Sequence, residues 1–337
     1  MKSNVLKYLG KYSYVLVFIL IFMVYVITSN GLTWAGVMNI FRHSAVVGII
    51  AFGMGLICLT GEIDLSVGSM LALDAGFSVV IFNITGSVLA TLLFALAFGA
   101  FAGFVNGILV GYFKMPAFIV TLATMLIFRS FAQYFCQRFD KELIGGGSSV
   151  YKMVREMDSY QGLYDFGNGR IATLPIVGIV LVAITVLFVY VTLCTKFGKK
   201  VYAIGSNENG AKMAGINVSL NKTTVFVIAG LLVGLAAFLW IAMNGSADPA
   251  TTGTSYEMYA IAAVVLGGIS MAGGKGRVLG VFFGALSYTV IDKIIVALKM
   301  DSLINDAIKG IILIIVILIQ ILGPRIRGRV KRKKTAA

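Results

Sequence analysis

The sequence predicts an all-α protein, a polytopic bundle of about ten transmembrane helices that forms a single domain, residues 1–337. Of the 337 residues, 59% are hydrophobic and only 12% are charged, and the mean hydropathy is +0.95. Water-soluble domains carry about 25% charged residues, so this composition excludes an ordinary soluble fold. Apolar runs of roughly 20 residues, the length of helix that crosses a bilayer, recur along the chain. Alternating strand patterns are missing, which favours helices over a β-barrel.

Ten apolar runs define the predicted spans, and an even number places both termini on the same side of the membrane. The first run follows three lysines but has no A-x-A-like cleavage site after it, so we interpret it as a retained span rather than a signal peptide. The spans lie near residues 12–28, 41–59, 65–83, 86–111, 116–136, 173–195, 222–243, 257–272, 277–298 and 303–322.

The distribution of charge predicts the orientation of the spans. Of the 28 basic residues, 18 fall on the side of the termini, whereas the opposite loop 137–172 holds five basic and five acidic residues. By the positive-inside rule, both termini and loop 196–221 are cytoplasmic and loop 137–172 is extracytoplasmic. Topology therefore explains the net charge of +14. The basic tail, residues 325–334, is interpreted as an anchor at anionic lipid, and no nucleic-acid partner is expected.

Motifs for catalysis or metal binding are missing from the sequence. The segment MAGGKGR, residues 271–277, lacks the first glycine and the Ser/Thr of a P-loop. The single histidine, His43, has no second His or Cys nearby, and the three cysteines lie in or at the ends of apolar spans without CxxC spacing. We expect no catalytic residue, no metal and no cofactor on this chain, which is predicted not to be an enzyme.

Polar residues inside the predicted spans are candidates for a translocation pathway, because a charge at membrane depth costs about 2.5–3.5 kcal/mol. Asp74 lies in the middle of a span, and Asn106 lies within a later one. Asp64 follows Gly61 at a break between two spans, Glu257 opens the eighth span, and Phe118 completes the candidate set.

Each carboxylate in this set also has a structural interpretation. Asp64 and Glu257 are equally well explained as groups that stabilise helix N-termini. Three roles are open for Asp74: it binds substrate hydroxyls, pairs with Arg129, or stays protonated and hydrogen-bonded.

Glycines at helical spacing predict close helix packing, because small residues let helix backbones approach each other in a membrane. A shift of 212 residues also aligns Gly61 with Gly273 and Gly68 with Gly280, which is compatible both with a duplication of the chain and with chance. The spaced glycines are Gly99, Gly103, Gly107 and Gly111, and then Gly276, Gly280 and Gly284.

Loop 196–221 is basic and polar between two long apolar runs, with five lysines up to residue 222. Within it, Asn207 is predicted to cap a short helix from about 208 to 214, and Gly215 is predicted to end that helix in a left-handed turn. A stiff element of this kind suits attachment of another protein better than a flexible loop does.

Four segments resemble the permease subunits of bacterial ribose/galactose-type ABC importers. They are TGEIDLSVGSMLAL, GFVNGILVGYFKMPAFIVTLATM, FGKKVYAIGSNENGAKMAGINV and YEMYAIAAVVLGGISMAGGKGRVLG. The resemblance runs from about residue 41 to 322. It implies a multi-pass protein of the bacterial cytoplasmic (inner) membrane that translocates a monosaccharide or related polyol.

The same resemblance implies partners and a coupling segment. The partners are a tandem cytoplasmic ATPase that carries ATP and Mg, an extracytoplasmic sugar-binding protein, and a second copy of the chain or a paralogous permease, all in or at the lipid bilayer. Residues 205–217 would form the helix that contacts the ATPase. Its candidate contact residues are Gly205, Asn207, Ala211, Ala214, Gly215 and Ile216.

The sequence departs from the family pattern at Gly61-Glu62, at Gly210-Ala211 and at Asp74. The last of these leaves the sugar open among ribose, xylose, galactose, inositol and related polyols. An alternative function is a proton-coupled secondary transporter that uses Asp74 or Glu257 as proton carrier. A third is a passive channel or membrane scaffold, which would need no ATPase.

Overall fold

The computed structural model describes residues 13–29, 31–146, 149–300, 304, 307–312, 314–315 and 318. Half of the predicted tenth span, 303–322, and the whole basic tail lie outside these residues. Most of the described chain is helical, and it contains four two-residue strands. The helices are α1 Ser13–Thr28, α2 Trp34–Leu59, α3 Val67–Thr85, α4 Val88–Gly111, α5 Ala117–Arg138, α6 Asp158–Asn168, α7 Ile176–Cys194, α8 Lys196–Ser206, α9 Glu208–Met213, α10 Val218–Asn244, α11 Tyr256–Leu266 and α12 Val278–Ala297.

Seven of these helices, α2–α5, α7, α10 and α12, are long and apolar enough to cross a membrane. Each overlaps one of the predicted spans. Helix α2 begins seven residues before the predicted span 41–59, because the Thr33 hydroxyl accepts a hydrogen bond from the Gly36 amide and caps it there. Helix α11 ends six residues before the predicted end of span 257–272, where Gly268 adopts a left-handed backbone conformation, φ +81°.

Helix α10 is a central element of the bundle and packs along α4 through glycines on both helices. A Cβ atom added to Gly99 or Gly103 would overlap a carbonyl oxygen of α10, and one added to Gly230 or Gly234 would overlap a carbonyl oxygen of α4. The Thr223 hydroxyl donates to the Gly107 carbonyl at 2.8 Å across the same interface. The packing role predicted for these glycines of α4 is confirmed.

Helices α11 and α12 pack in the same way, since added Cβ atoms on Gly280 and Gly284 would overlap carbonyl oxygens of Gly267 and Ala263. The prediction for Gly276 was wrong. It lies before α12 with φ +125°, where its Cβ would come within 2.5 Å of the Ile269 Cα. Gly276 therefore shapes the connection into the helix rather than the helix interface.

Two breaks in the helical path lie against each other. The first break, residues 60–66, joins α2 to α3, and the second break, residues 267–277, joins α11 to α12. Gly61 and Gly273 have nearly the same left-handed backbone, φ +85° and +84°, and a Cβ on Gly273 would lie 3.0 Å from the Gly61 nitrogen. The two glycines are 212 residues apart, so the sequence shift that aligns them also relates the two breaks.

The loop predicted over 137–172 is ordered against the bundle in its described part. It contains α6 and strand β1 (Tyr151–Lys152), which pairs antiparallel with β4 (Ser246–Ala247). Tyr151 is fully buried, and its hydroxyl donates to the Ala132 carbonyl at 2.9 Å. Strands β2 (Arg170–Ile171) and β3 (Leu174–Pro175) form a hairpin that leads into α7.

Candidate functional site

The basic segment 196–221 folds into two short helices rather than one. The Thr195 hydroxyl accepts from the Gly198 amide at 3.2 Å and begins α8, which the sequence had not predicted. Asn207 begins α9, because its side-chain oxygen accepts from the Gly210 amide at 2.9 Å. Gly215 follows α9 with φ +78°. The predicted cap, short helix and left-handed turn are confirmed, with the helix ending at Met213.

The end of α8 rests on the end of α2 and on the second break through Gly205. A Cβ atom at this position would overlap the Leu59 carbonyl oxygen and would lie 2.5 Å from the Gly274 nitrogen. The Gly274 amide donates to the same Leu59 carbonyl at 2.9 Å. Gly205 is therefore the point where α8, the end of α2 and the second break meet, and only glycine fits there.

Two side chains of α8 extend this contact along the second break. The Tyr202 hydroxyl donates to the Gly276 carbonyl at 3.0 Å, and the Ser206 hydroxyl donates to the Gly274 carbonyl at 3.4 Å. The second break is thus held mainly through its backbone.

A charged group connects α9 to the first break. The Lys222 ammonium, at the start of α10, lies 2.6 Å from the Glu62 Oε1 and 2.9 Å from the Glu208 Oε2. Glu208 also pairs with Lys212 at 2.6 Å within α9. Lys222 is only 9% exposed. Sequence analysis missed this group, because Glu62 lies 160 residues from Lys222.

The charge of Glu208 is fixed over the physiological pH range. Hydrogen bonds from Lys212 and then Lys222 lower the pKa of the Glu208 carboxyl to about 2. Both of its ion pairs are therefore present above the ordinary carboxyl pKa and are lost only as the pH falls towards 2.

The outer side of α9 carries an apolar side chain that nothing covers among the described residues. Ala211 is buried in a small cluster with Ile204 and Val218, against which Ile216 packs. Met213, by contrast, is 91% exposed at the end of α9. Ala214 and Gly215 are also exposed. The sequence analysis did not single out Met213, although an apolar side chain at the end of a mostly polar six-residue helix is a signal that could have found it.

Asp64 and Asn106 come together, as a shared pathway role would require. The Asp64 Oδ1 accepts from the Ser66 amide at 2.8 Å and from the Ser66 hydroxyl at 2.6 Å. The Asn106 amide donates to the Ser66 oxygen at 2.9 Å. Asp64 is 2% exposed and Asn106 is fully buried. Asp64 precedes the N-cap position of α3, Ser66, by two residues, so it orders the entry to α3 as well as carrying charge.

The other pathway candidates lie apart from this cluster. Asp74 is fully buried, and its Oδ1 accepts from the Ser78 hydroxyl at 3.2 Å. The pairing of Asp74 with Arg129 was wrong: Arg129 donates to the Pro249 and Thr252 carbonyls at 2.9 and 2.8 Å instead. Its guanidinium is directed to the segment before α11.

Glu257 and Phe118 occupy helix starts. Glu257 lies in the first turn of α11, and its Oε2 is close to α3, because a Cβ on Gly68 would meet it at 2.7 Å. Phe118 lies in the first turn of α5 and is 56% exposed. The position of Glu257 agrees with the helix-terminus interpretation and does not exclude the pathway role.

The fold defines a multi-pass membrane protein. Its loop 196–221, which the sequence predicts to be cytoplasmic, is fixed against two helix breaks. A family model described as the permease component of a branched-chain amino acid transport system matches residues 36–317. The chain therefore belongs to this family of transport permeases, which are not themselves enzymes, and it is a multi-pass protein of the bacterial inner membrane.

Curated relatives cover nearly the whole chain. The ribose import permease RbsC of Escherichia coli (strain K12) is 36% identical over 311 residues, 91% of this chain and 92% of that protein. RbsC of Bacillus subtilis (strain 168) is 36% identical over 90% of this chain and 89% of that protein. The autoinducer 2 permease LsrC of E. coli O9:H4 is 32% identical over 82% and 77%. No solved structure matches the chain.

Proposed function

We propose that this chain is the membrane-spanning permease subunit of an ATP-binding cassette importer for a monosaccharide or related polyol. The observation that carries the proposal is the α8–α9 segment, which ends in the exposed Met213. Gly205 fixes this segment on the end of α2 and on the second break, and Lys222 joins it to the first break. An element that is stiff, anchored to the membrane helices and apolar at its free end has the properties needed to receive force from a partner.

The proposed assembly has two permease copies, or this chain with a paralogue, embedded in the bilayer. A tandem ATPase that binds ATP and Mg sits on the cytoplasmic side, and a sugar-binding protein docks outside on loop 137–172. The topology that fits this arrangement has about ten spans with both termini in the cytoplasm, as the distribution of lysine and arginine predicts.

In the proposed mechanism, closure of the ATPase dimer moves α9, and α8 passes the displacement to the two breaks. The contact residues on the ATPase side are Asn207, Ala214 and Gly215 together with Met213, whereas Gly205, Ala211 and Ile216 hold the segment to the bundle. The cluster of Asp64, Ser66 and Asn106 lies at the first break, where a shift of helix ends would change what the pathway exposes.

The substrate class rests on the relatives, whose names include ribose import and autoinducer 2 import. The family description mentions branched-chain amino acids, but curated relatives that cover about nine tenths of the chain are ribose permeases. Polar groups along the pathway, such as Asp64 and Asn106, suit a hydroxylated substrate better than an aliphatic side chain.

The test uses the tagged chain purified from its native membrane in mild detergent, with co-purifying proteins identified. We expect a tandem ATPase with the wild type. Met213→Asp should weaken its retention roughly ten-fold or more, because a charge replaces an apolar side chain that binding would bury. Asn209→Asp is the matched control, since it adds the same charge at an exposed position of the same helix.

Transport is then measured in vesicles that contain the purified complex, with labelled ribose as the probe, binding protein outside and ATP inside. Uptake should require the purified complex, the binding protein and ATP. The proposal is wrong if no ATPase accompanies the wild type, or if the permease alone concentrates the sugar without ATP.

A further inference from the structure

Lys222 is the one described residue whose side chain joins α9 directly to the first helix break. Its ammonium contacts Glu62 at 2.6 Å and Glu208 at 2.9 Å, and it lies in the first turns of α10, the helix that packs along α4. The first break, which lies 160 residues from Lys222 in the sequence, thus meets α9 and α10 at one nitrogen atom.

The connection continues from Glu62 to the buried polar cluster. Glu62 is two residues before Asp64, whose carboxylate binds both the amide and the hydroxyl of Ser66. Ser66 in turn accepts from Asn106 of α4. A displacement of Glu62 therefore acts on a short backbone segment that is already fixed at its other end.

We propose that Lys222 is a positioning residue that transmits movement of α9 to the Asp64 cluster through Glu62. This inference rests on the proposed importer function. It names the contacts through which α9 acts on the Asp64 cluster. The contact at Gly205 serves the second break, and Lys222 serves the first.

Electrostatics explains why this position needs a cation rather than any long side chain. Glu62 and Glu208 contact the same nitrogen atom. The two carboxylate oxygens that contact it are therefore no further apart than the sum of the two contact distances. Without Lys222 they would repel each other in a partly buried site, and α9 would move away from the first break. With Lys222 in place, a displacement of Glu208 draws Glu62 with it.

The experiment uses the complex with its ATPase in lipid nanodiscs and measures hydrogen exchange with and without ATP and vanadate. In the wild type, nucleotide should change exchange in the peptides that cover 208–217 and in those that cover 60–69. In Lys222→Met, the change should persist at 208–217 and disappear at 60–69. Lys222→Arg, which keeps the charge and the donors, should restore it.

Lys212→Met is the matched control, because it removes the exposed ion pair to Glu208 and leaves the link to Glu62 intact. In Lys222→Met, the ratio of ribose transported to ATP hydrolysed should fall by about five-fold or more, which is the smallest change expected when coupling between two sites is lost. In Lys212→Met, this ratio should stay near the wild-type value. A residue with a merely structural role would raise exchange equally in both nucleotide states and lower transport and hydrolysis together.

The inference is overturned if Lys222→Met keeps the nucleotide-dependent change at 60–69, or if Lys212→Met loses it equally. Either result would leave the proposed function intact, since that function fails only if the wild type retains no ATPase or shows no ATP-driven uptake. The two failures are therefore distinguishable in the same preparation.

Discussion

The two helix breaks lie against each other, yet they are held by different forces. The first break, 60–66, is fixed by side chains: Glu62 pairs with Lys222, and Asp64 binds Ser66. The second break, 267–277, contains four glycines with left-handed φ values and is held through backbone atoms against α8. Gly205 contacts the second break and Leu59, the residue that precedes the first break.

The difference shows how one segment can attach to two sites of unlike chemistry. Backbone contacts at glycine tolerate no added atom, so the second break follows α8 as a rigid unit. Ion pairs and side-chain hydrogen bonds have longer reach, so single substitutions can alter the first break without adding atoms to the backbone contacts at Gly205. We expect substitutions at the shared steric contact to cost more than substitutions at either break alone.

The largest effect is expected from Gly205→Ala, because this substitution disturbs the contacts of α8 with the end of α2 and with the second break at the same time. The added methyl group would overlap the Leu59 carbonyl oxygen. We expect a loss of about 3 kcal/mol or more in stability, the upper end for overpacked sites, because the overlapped atom belongs to the backbone. Thermal unfolding of the purified protein in nanodiscs measures this loss as a lower Tm.

Gly210→Ala is the control for that substitution. Gly210 lies on the same segment, and its Cβ would meet nothing closer than 3.4 Å. Because alanine favours a helix over glycine by about 1 kcal/mol, this variant should unfold at the same temperature as wild type or higher. Equal losses at the two glycines would contradict the steric role of Gly205.

A smaller effect is expected at the first break alone. Asp64→Ala removes the acceptor for the Ser66 amide and hydroxyl and should cost about 1–3 kcal/mol, because it leaves buried donors without partners. Asp64→Asn keeps an acceptor oxygen and should recover part of the loss. The two variants are compared by Tm and by the amount of folded protein. If both behave like wild type, the cluster does not order the break.

The smallest effect is expected at the second break from Tyr202→Phe, which removes one hydroxyl and leaves the ring. Loss of the hydrogen bond to Gly276 should cost about 0.5–1.5 kcal/mol. Tyr190→Phe is a suitable control, since Tyr190 is exposed on α7. A loss as large as that of Gly205→Ala would mean that the side chain, rather than the backbone, holds the second break.

Much of the fold was predictable, because membrane spans depend on properties of contiguous residues. Length and hydrophobicity located the runs that became seven long apolar helices. Local signals also found α9, since Asn207 caps it and Gly215 follows it within a few residues. The spacing of the glycines in α4 predicted a close helix contact, although it did not identify α10 as the partner helix.

Other features were missed or misread for an equally physical reason. The sequence of helix α8 is only weakly apolar, and the helix is stabilised by its contacts with the adjacent helix breaks. Pairing with Arg129 was one of three roles left open for Asp74, because the direction of a side chain around its helix is set by packing and cannot be read from the sequence. Arg129 binds the Pro249 and Thr252 carbonyls, more than a hundred residues away.

The sequence by itself determined a helical membrane protein of the permease type, its order of helices and the short capped helix of its polar loop. Only the tertiary structure decided that Lys222 joins Glu62 to Glu208, and that Gly205 meets Leu59 and Gly274. Hydrophobicity and capping act between near neighbours in the chain and can be read from their order. Contacts across 160 residues depend on how the helices pack, which the order alone does not state.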